Sequence, residues 1–279
     1  MTTLFNRFAR LTIESPQDGV ARVFEDFRIT FQVEKTSETN QNTSKISIYN
    51  LKADSIGLIE REQTTATLEV GYLGSPVTIG VKVIQNPIIE ILAIGDVDKV
   101  VTTRQGVDTV TTFEVGDGAN NLQEKTFEGS FRPGSTTKQI TDELIGALGA
   151  VKGVVTDFVD DVFNNGVSLS GKVKDLLTEQ TEKMGLDWSI QDGEVQIIPK
   201  GGNTGETAIE LTPNTGLLGS PSRKAVGVEF VALLNPRIRP GRVVRINSQF
   251  VQGDFTVKKA SFTGDTEEGN SFIVKVEAV

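Results

Sequence analysis

The side chains able to do chemistry in this 279-residue chain are few in kind. It contains no His and no Cys. The usual zinc sites, iron–sulfur sites, imidazole bases, Ser-His-Asp triads, thiol nucleophiles and disulfides are therefore excluded. Carboxylates, Lys, Tyr and Ser remain. The carboxylates gather at Glu25/Asp26, Asp96/Asp98 and Asp157/Asp160/Asp161. A glycosidase needs two carboxylates about 5 to 10 Å apart across a sugar site. Asp96 and Asp98 share one face of a predicted strand and make no cleft. Asp157 and Asp161 could share a helix face, but no stretch has the ligand spacing and closing Glu of a calcium loop. All are read as solvated surface groups. Gly116-Asp117-Gly118 and the glycines Gly201, Gly202 and Gly205 lack the strand, helix, Lys and Ser/Thr that a phosphate loop requires, so turns and a linker account for them. The chain is expected to carry no catalytic residue, metal or cofactor.

Charge supplies the remaining candidates. With 28 Lys+Arg against 37 Asp+Glu the net charge is −9, and without His it barely changes across physiological pH. Against that average, the segment from Pro221 to Ala260 is basic. Arg237, Arg239, Arg242 and Arg245 surround Pro236, Pro240 and Gly241 on a stiff turn entering a strand. Arg forks match carboxylates, so these four are the candidate contacts to acidic residues of neighbouring subunits or partners. The rival reading is a nucleic-acid-binding face. An aromatic share of 6% argues against a base-stacking platform.

These residues have to be placed by a mainly β fold. Ile29, Phe31 and Val33 alternate with polar neighbours. So do Ile46 and Ile48; Leu68, Val70 and Tyr72; and Ile79, Val81 and Val83. This is the period-two signature of half-buried strands. Further strands are expected around Pro87 to Lys99 and Thr109 to Val115, with Lys35 to Ser44 as a long polar connection. Asp54 or Ser55 is the expected N-cap of a short helix through Glu60. After Gly116 the period changes. Thr136 and Gln139 form a capping box before a helix from about Thr137 to Leu148. A second helix is expected from near Ser170, with Val173, Leu176, Leu177 and Met184 on one face and Gly185 ending it. Trp188, expected in the core, and Ile190 precede an Asp192-Gly193 hairpin turn leading to Val195 and Ile197. A last all-strand stretch uses Val226, Val228, Phe230, Val243, Ile246, Phe255, Val257, Phe272, Val274 and Val276.

The expected architecture is two antiparallel β-barrels flanking a helix-plus-hairpin module, with domains at residues 1–118, 119–205 and 206–279. The segments from about Met1 to Val115 and from Glu206 to Val279 are expected to share one topology. No secretory signal is read in Met1 to Ile13. The most apolar run, Pro87 to Ile94, is far shorter than the roughly 20 residues of a membrane span. The chain is thus expected to be soluble and made in a cytoplasm.

The order of segments resembles the baseplate hub proteins of contractile-tailed bacteriophages, of the Mu-like and T-even-like kind. FRITFQVEKTSETNQNTSKISIYNL (Phe27 to Leu51) resembles the first tube-type barrel. GVSLSGKVKDLLTEQTEKMGLDWSIQDGEVQIIP (Gly166 to Pro199) resembles the middle module. VGVEFVALLNPRIRPGRVVRINS (Val226 to Ser248) and GDFTVKKASFTGDT (Gly253 to Thr266) resemble the second barrel. The chain is shorter than the larger hubs, so the resemblance leads one to expect that one or more decorating domains are missing. The resemblance implies a non-enzymatic homotrimer whose six barrels meet a sixfold tail tube protein on one side and a threefold central spike protein on the other. It also implies contact with other baseplate proteins and a channel for genomic DNA. The location implied is the virion tail baseplate, after assembly in the host bacterial cytoplasm. An acidic protein suits a channel through which a polyanion must slide without sticking. The rival from a different class is a carboxylate-based cell-wall hydrolase carried by a phage tail.

Overall fold

The computed structural model describes the chain except for residues 1–5, 18, 38–41, 62, 75–76, 80–81, 85–86, 117–124 and 268. Val81, Asp117 and Gly118, named above, lie outside the described residues. The first flank holds β1 (Arg7–Ser15), β2 (Val20–Phe24), β3 (Ile29–Thr36), β4 (Thr43–Tyr49), α1 (Ala53–Ile59), β5 (Thr65–Tyr72), β6 (Val77–Ile79), β7 (Lys82–Ile84), β8 (Ile88–Gln105) and β9 (Asp108–Gly116). The module holds β10 (Thr126–Phe131), α2 (Thr137–Leu148), β11 (Val151–Val155), β12 (Val167–Lys172), α3 (Val173–Lys183), β13 (Leu186–Gln191) and β14 (Glu194–Pro199). The last flank holds β15 (Ile209–Leu211), β16 (Leu217–Arg223), β17 (Val228–Leu233), β18 (Val243–Asn247), β19 (Gln252–Asp265) and β20 (Phe272–Ala278). The expected class, mainly β with a small α+β insert, is the one found.

The module folds around its own core. Thr136 caps α2 by accepting from the Gln139 amide, and the Gln139 side chain returns the bond, as the capping box requires. Ile140, Leu144 and Leu148 on α2 meet Val173 and Leu177 on α3 and Trp188, Val195 and Ile197 on the hairpin. Trp188 is buried and its indole N–H donates to the Thr178 hydroxyl at 3.0 Å, so the ring's one polar atom is satisfied inside that core. Asp192 and Gly193 both have positive φ, 57° and 80°, which matches the strand twist in a two-residue turn.

Four local expectations are corrected. α1 is capped by Lys52 rather than Asp54 or Ser55, with no side-chain bond from the cap; Asp54 instead lies inside the first turn. The second helix starts at Val173, because the residues from Val167 to Lys172 pair with β10 before the chain turns. Asp157 and Asp161 are not on a helix; this stretch runs beside the start of α2, where the Asp160 carboxylate accepts from the Lys138 amide at 2.8 Å. Val226 is 75% exposed in the turn before β17, not a core strand position.

The two flanks carry the same five-strand order. In the first, the β3–β4 hairpin pairs through β4 with β9, and β9, β8 and β5 follow as a meander. In the last, the β16–β17 hairpin pairs through β17 with β20, and β20, β19 and β18 follow. Loop hydrogen bonds repeat too. The Asn50 amide donates to Thr109 O and that of Tyr49 to Arg28 O, while the Leu234 amide donates to Phe272 O and that of Leu233 to Gly216 O. These pairs set the residue equivalence between flanks.

The flanks are joined edge to edge. β3 pairs antiparallel with β19 from Thr30–Asp265 to Thr36–Lys259, and one cluster of buried side chains continues through both flanks. At this seam Phe262 lies opposite Val33, both 1% exposed. Gly264 lies opposite Phe31, and a Cβ there would collide with the Phe31 ring, so only glycine lets that ring cover the strand.

Candidate assembly surface

The seam ends in a polar knot that no local pattern announces. Arg28 binds the Asp265 carboxylate with Nη2 at 2.8 Å and Nε at 3.3 Å, and Glu267 through Nη1 at 2.7 Å, while its guanidinium stacks 4.6 Å from the Tyr49 ring centre. Thr266 closes the end of the ladder, its hydroxyl accepting from the Ile29 amide at 3.0 Å and its amide donating to Ile29 O at 3.1 Å. Burial pushes the Asp265 carboxyl up, but the bonds from Arg28, the Glu267 amide and Asn270 more than offset that, so it sits below its ordinary value. Gly264-Asp265-Thr266, at the end of β19, is thus the clasp between the flanks.

The four candidate arginines divide into two kinds. Arg239 and Arg242 belong to a network at the module's docking point. Arg242 donates to Glu206 at 2.5 Å and to Thr207 O at 3.1 Å, and its side chain is only 12% exposed. Burial lowers its pKa, although Glu206 works in the other direction. Arg239 lies 3.8 Å from both Asp192 and Glu206. Lys35, 2% exposed, completes the network on Asp192 at 2.5 Å. Arg237 and Arg245 face outward. Arg237 grips Glu90 at 2.6 and 2.9 Å, and Arg245 takes Asp254 in a two-point fork at 2.7 and 2.8 Å. Their side chains are 55% and 61% exposed. The fork raises the Arg245 pKa and lowers that of Asp254. All four thus face carboxylates of their own chain.

The sequence puts Lys35 at the start of a long polar connection. It is instead the last inward side chain of β3, and its partner is the hairpin turn of the module. The same docking joint includes Asn42 donating to Ile190 O at 2.8 Å, Gln191 donating to Thr36 O at 2.8 Å, and the Thr204 amide donating to Gly241 O at 2.9 Å. The alternation of β3 carries Lys35 to the inward face, but the counter-charge that lets it stay buried is far away in sequence.

The carboxylates singled out for chemistry have structural tasks or none apparent. Asp98 accepts from the Lys99 amide at 2.8 Å, stabilising a left-handed residue at an irregularity in β8. Glu25 pairs with Arg10. Asp160 serves the start of α2, as above. Nothing in the structure explains Asp26. Among the described residues no three His, Cys, Asp or Glu side chains gather as metal ligands, and no helix is long and apolar enough to cross a membrane.

The chain is thus defined by a β repeat with a docked module. No protein-family model matches it, and no curated protein sequence matches it. Solved structures do match. The 43 kDa tail protein of prophage MuSo2 from Shewanella oneidensis is similar over 97% of this chain and 96% of its own, with a TM-score of 0.63 at 11% identity. A tail protein from Neisseria meningitidis MC58 gives 0.59 at 9% identity over 97% and 96%. The E. coli c3393 protein, a type VI secretion system component described as similar to the T4 tail proteins gp27 and gp5, gives 0.54 at 9% identity over 90% and 73%. The chain has the fold of these tail proteins along nearly its whole length.

Proposed function

We propose that this chain is a non-enzymatic structural component of a phage tail baseplate hub, a homotrimer joining a sixfold tail tube to a threefold central spike. In this reading it also contacts other baseplate proteins and lines the channel for genomic DNA. It is assembled in the host cytoplasm and resides in the virion tail. The domain divisions at 118 and 206 belong to the same proposal. The observation that carries it is the five-strand order found twice in a chain whose fold is shared end to end with tail proteins. A ring meeting a sixfold partner with three chains must offer each contact twice per chain, and a duplicated strand order is the feature that allows it.

The test is the mass of the purified protein by light scattering, its rotational symmetry by electron microscopy, and its attachment to the tail tube. Three chains, threefold particles and tube attachment are expected. A protein that stays monomeric at every concentration and ignores the tube overturns the reading. Digestion of cell wall by the pure protein, abolished by D96N, D98N, D157N or D161N, replaces it with the hydrolase.

A further inference from the structure

The repeated strand order leaves one pairing made in the chain and its counterpart unmade. The outer edge of β19 is shared: Gln252 to Thr256 pair with β18, and Lys259 to Asp265 pair with β3. The equivalent strand β8 pairs with β5 only as far as Asp96, with the Val97 amide bonded to Thr64 O. From there to Gln105 its outer edge has no strand partner among the described residues. Likewise β3 is paired on both edges, by β4 and β19, whereas its equivalent β16 is paired on one, by β17. The chain therefore presents one edge that lacks a β3-like strand and one β3-like strand that lacks an edge.

We propose that these are two sides of one intermolecular seam, in which β16 of one copy adds antiparallel to the free part of β8 in the next copy, as β3 adds to β19 within the chain. The inference rests on the assembly reading and names the surfaces. Equivalence fixes the register. Thr103, opposite Val110, corresponds to Thr263, opposite Ile273. Ser222, opposite Glu229, corresponds to Gln32, opposite Lys45. Since Thr263 pairs with Gln32, Thr103 is to lie opposite Ser222 of the neighbour, and by the same rule Gln105 opposite Leu218.

Two further observations favour a second copy as occupant. Long unpaired edges are normally covered or blunted, yet the free part of β8 is exposed and carries Val101 at 55%, with Val107 at 90% in its turn. The β16 edge and its following turn show the same, with Leu218 at 38% and Val226 at 75%. The contact is head to tail, so repetition generates a ring when the rotation closes. The irregularity between Leu218 and Ser222, with Gly219 at φ 65° and the amide-free Pro221, makes this seam shorter than the one inside the chain.

The natural absence of Cys makes cross-linking a clean test. The full-length T103C/S222C double variant is treated with a mild oxidant and, separately, with a short bismaleimide. The expected result is covalent dimers and trimers on a denaturing gel, while V23C/S222C, which offers the β2 edge instead, stays monomeric. Q32C/T263C is the positive control and closes within one chain without a gain in mass. If light scattering shows assembled protein and the control closes, but T103C/S222C yields no covalent oligomer, the copies meet elsewhere: this inference falls and the assembly reading stands. If the unmodified protein is monomeric at all concentrations and nothing cross-links between chains, both fall.

Discussion

The two flanks share a strand order but differ in what their equivalent strands touch, and the difference sets their chemistry. β3 alternates strictly, with Ile29, Phe31 and Val33 buried, because β19 covers its outer edge. β16 begins with a buried Leu217 and then breaks its alternation at Gly219 and Pro221, with exposed residues on either side of the buried proline. The same holds for the long strands. Phe262 is 1% exposed where its equivalent on β8 is the exposed Thr102. Topology is kept by alternation alone, which many sequences satisfy, while residue identity follows whatever lies across each edge. The first neighbours also differ: β1 runs antiparallel to β5, whereas β15 runs parallel to β18.

The largest expected effect separates these equivalent positions. Phe262→Ala empties a buried ring site and should lower unfolding stability by about 3–5 kcal/mol. Thr102→Ala should lower it by only about 1 kcal/mol, the share of its hydrogen bond to the buried Thr111 hydroxyl. Urea unfolding of the two variants side by side checks this. Similar losses would mean that the β8 edge is already buried, which removes the contrast between the two long strands.

Next in size is the joint between the module and the first flank. Lys35→Met leaves Asp192 without its close cation while Arg239 stays 3.8 Å away, and removing one partner of a buried pair costs about 3 kcal/mol. K35M/D192N should recover part of that loss. Thermal unfolding measures the cost, and limited proteolysis in the module reports its release from the β flanks. If K35M is neutral, the contact with the first flank is held by hydrogen bonds such as those of Asn42 and Gln191 rather than by the ion pair.

How much of this could be read in the sequence depended on the distance between partners. The capping box, the Asp-Gly turn, the core role of Trp188 and the alternation in β3, β4, β5 and β20 are local signals, and each is present as read. β1 has equally good alternation in Ala9, Leu11 and Ile13, all buried. Arg10 and Thr12 on its other face, with Arg7 at its start, break up any apolar run in that stretch. β16 carries a glycine and a proline that mask its period. Asp157 to Asp161 have helix-like spacing, but the helix they serve is α2, whose first turn takes the Asp160 carboxylate. The β3–β19 seam and the Lys35–Asp192 pair join residues remote in sequence, and no window along the chain contains both sides. Of the four candidate arginines, charge and turn stiffness gave the location, while only the fold divides them into a docking pair and an outward pair.

A smaller effect comes from pH. Asp265 has a folded pKa below its ordinary value, so its contribution is present above the unfolded value, near pH 4, and is lost as pH falls through the lower folded value. Acidification below about pH 4 should therefore loosen the clasp, and Asp265→Asn should flatten the stability curve in that window. Glu229 is also held low, at about 2, by bonds from Lys224 and Lys275, and both of those cations are 55% exposed to solvent ions. Its share of the acid slope should fade in concentrated salt, whereas that of Asp265 should persist. Unfolding midpoints between pH 2 and 6 at two salt concentrations distinguish the two carboxylates. Equal salt sensitivity would show that Asp265 is open to solvent.

The smallest change in stability is expected where the change in assembly matters most. Arg237 and Arg245 are more than half exposed, and such pairs contribute little to folding. R237A/R245A should therefore unfold at the same urea concentration as the natural protein. R239A/R242A should be less stable by about 1–3 kcal/mol, because it takes both cations from the partly buried Glu206 at the module joint and leaves it only neutral donors such as the Thr204 hydroxyl. If the outward pair also contacts acidic partners, the role expected of these arginines from the sequence, R237A/R245A weakens oligomerisation or tube attachment with folding intact, and the loss grows with added salt because exposed ion pairs are screened. The docking pair cannot give so clean a result, since any loss of assembly there is mixed with loss of stability. Unchanged assembly in R237A/R245A would reduce these arginines to bracing Glu90 and Asp254 within the chain. Salt-dependent DNA binding lost in the same variant, with assembly unchanged, would transfer them to the nucleic-acid reading.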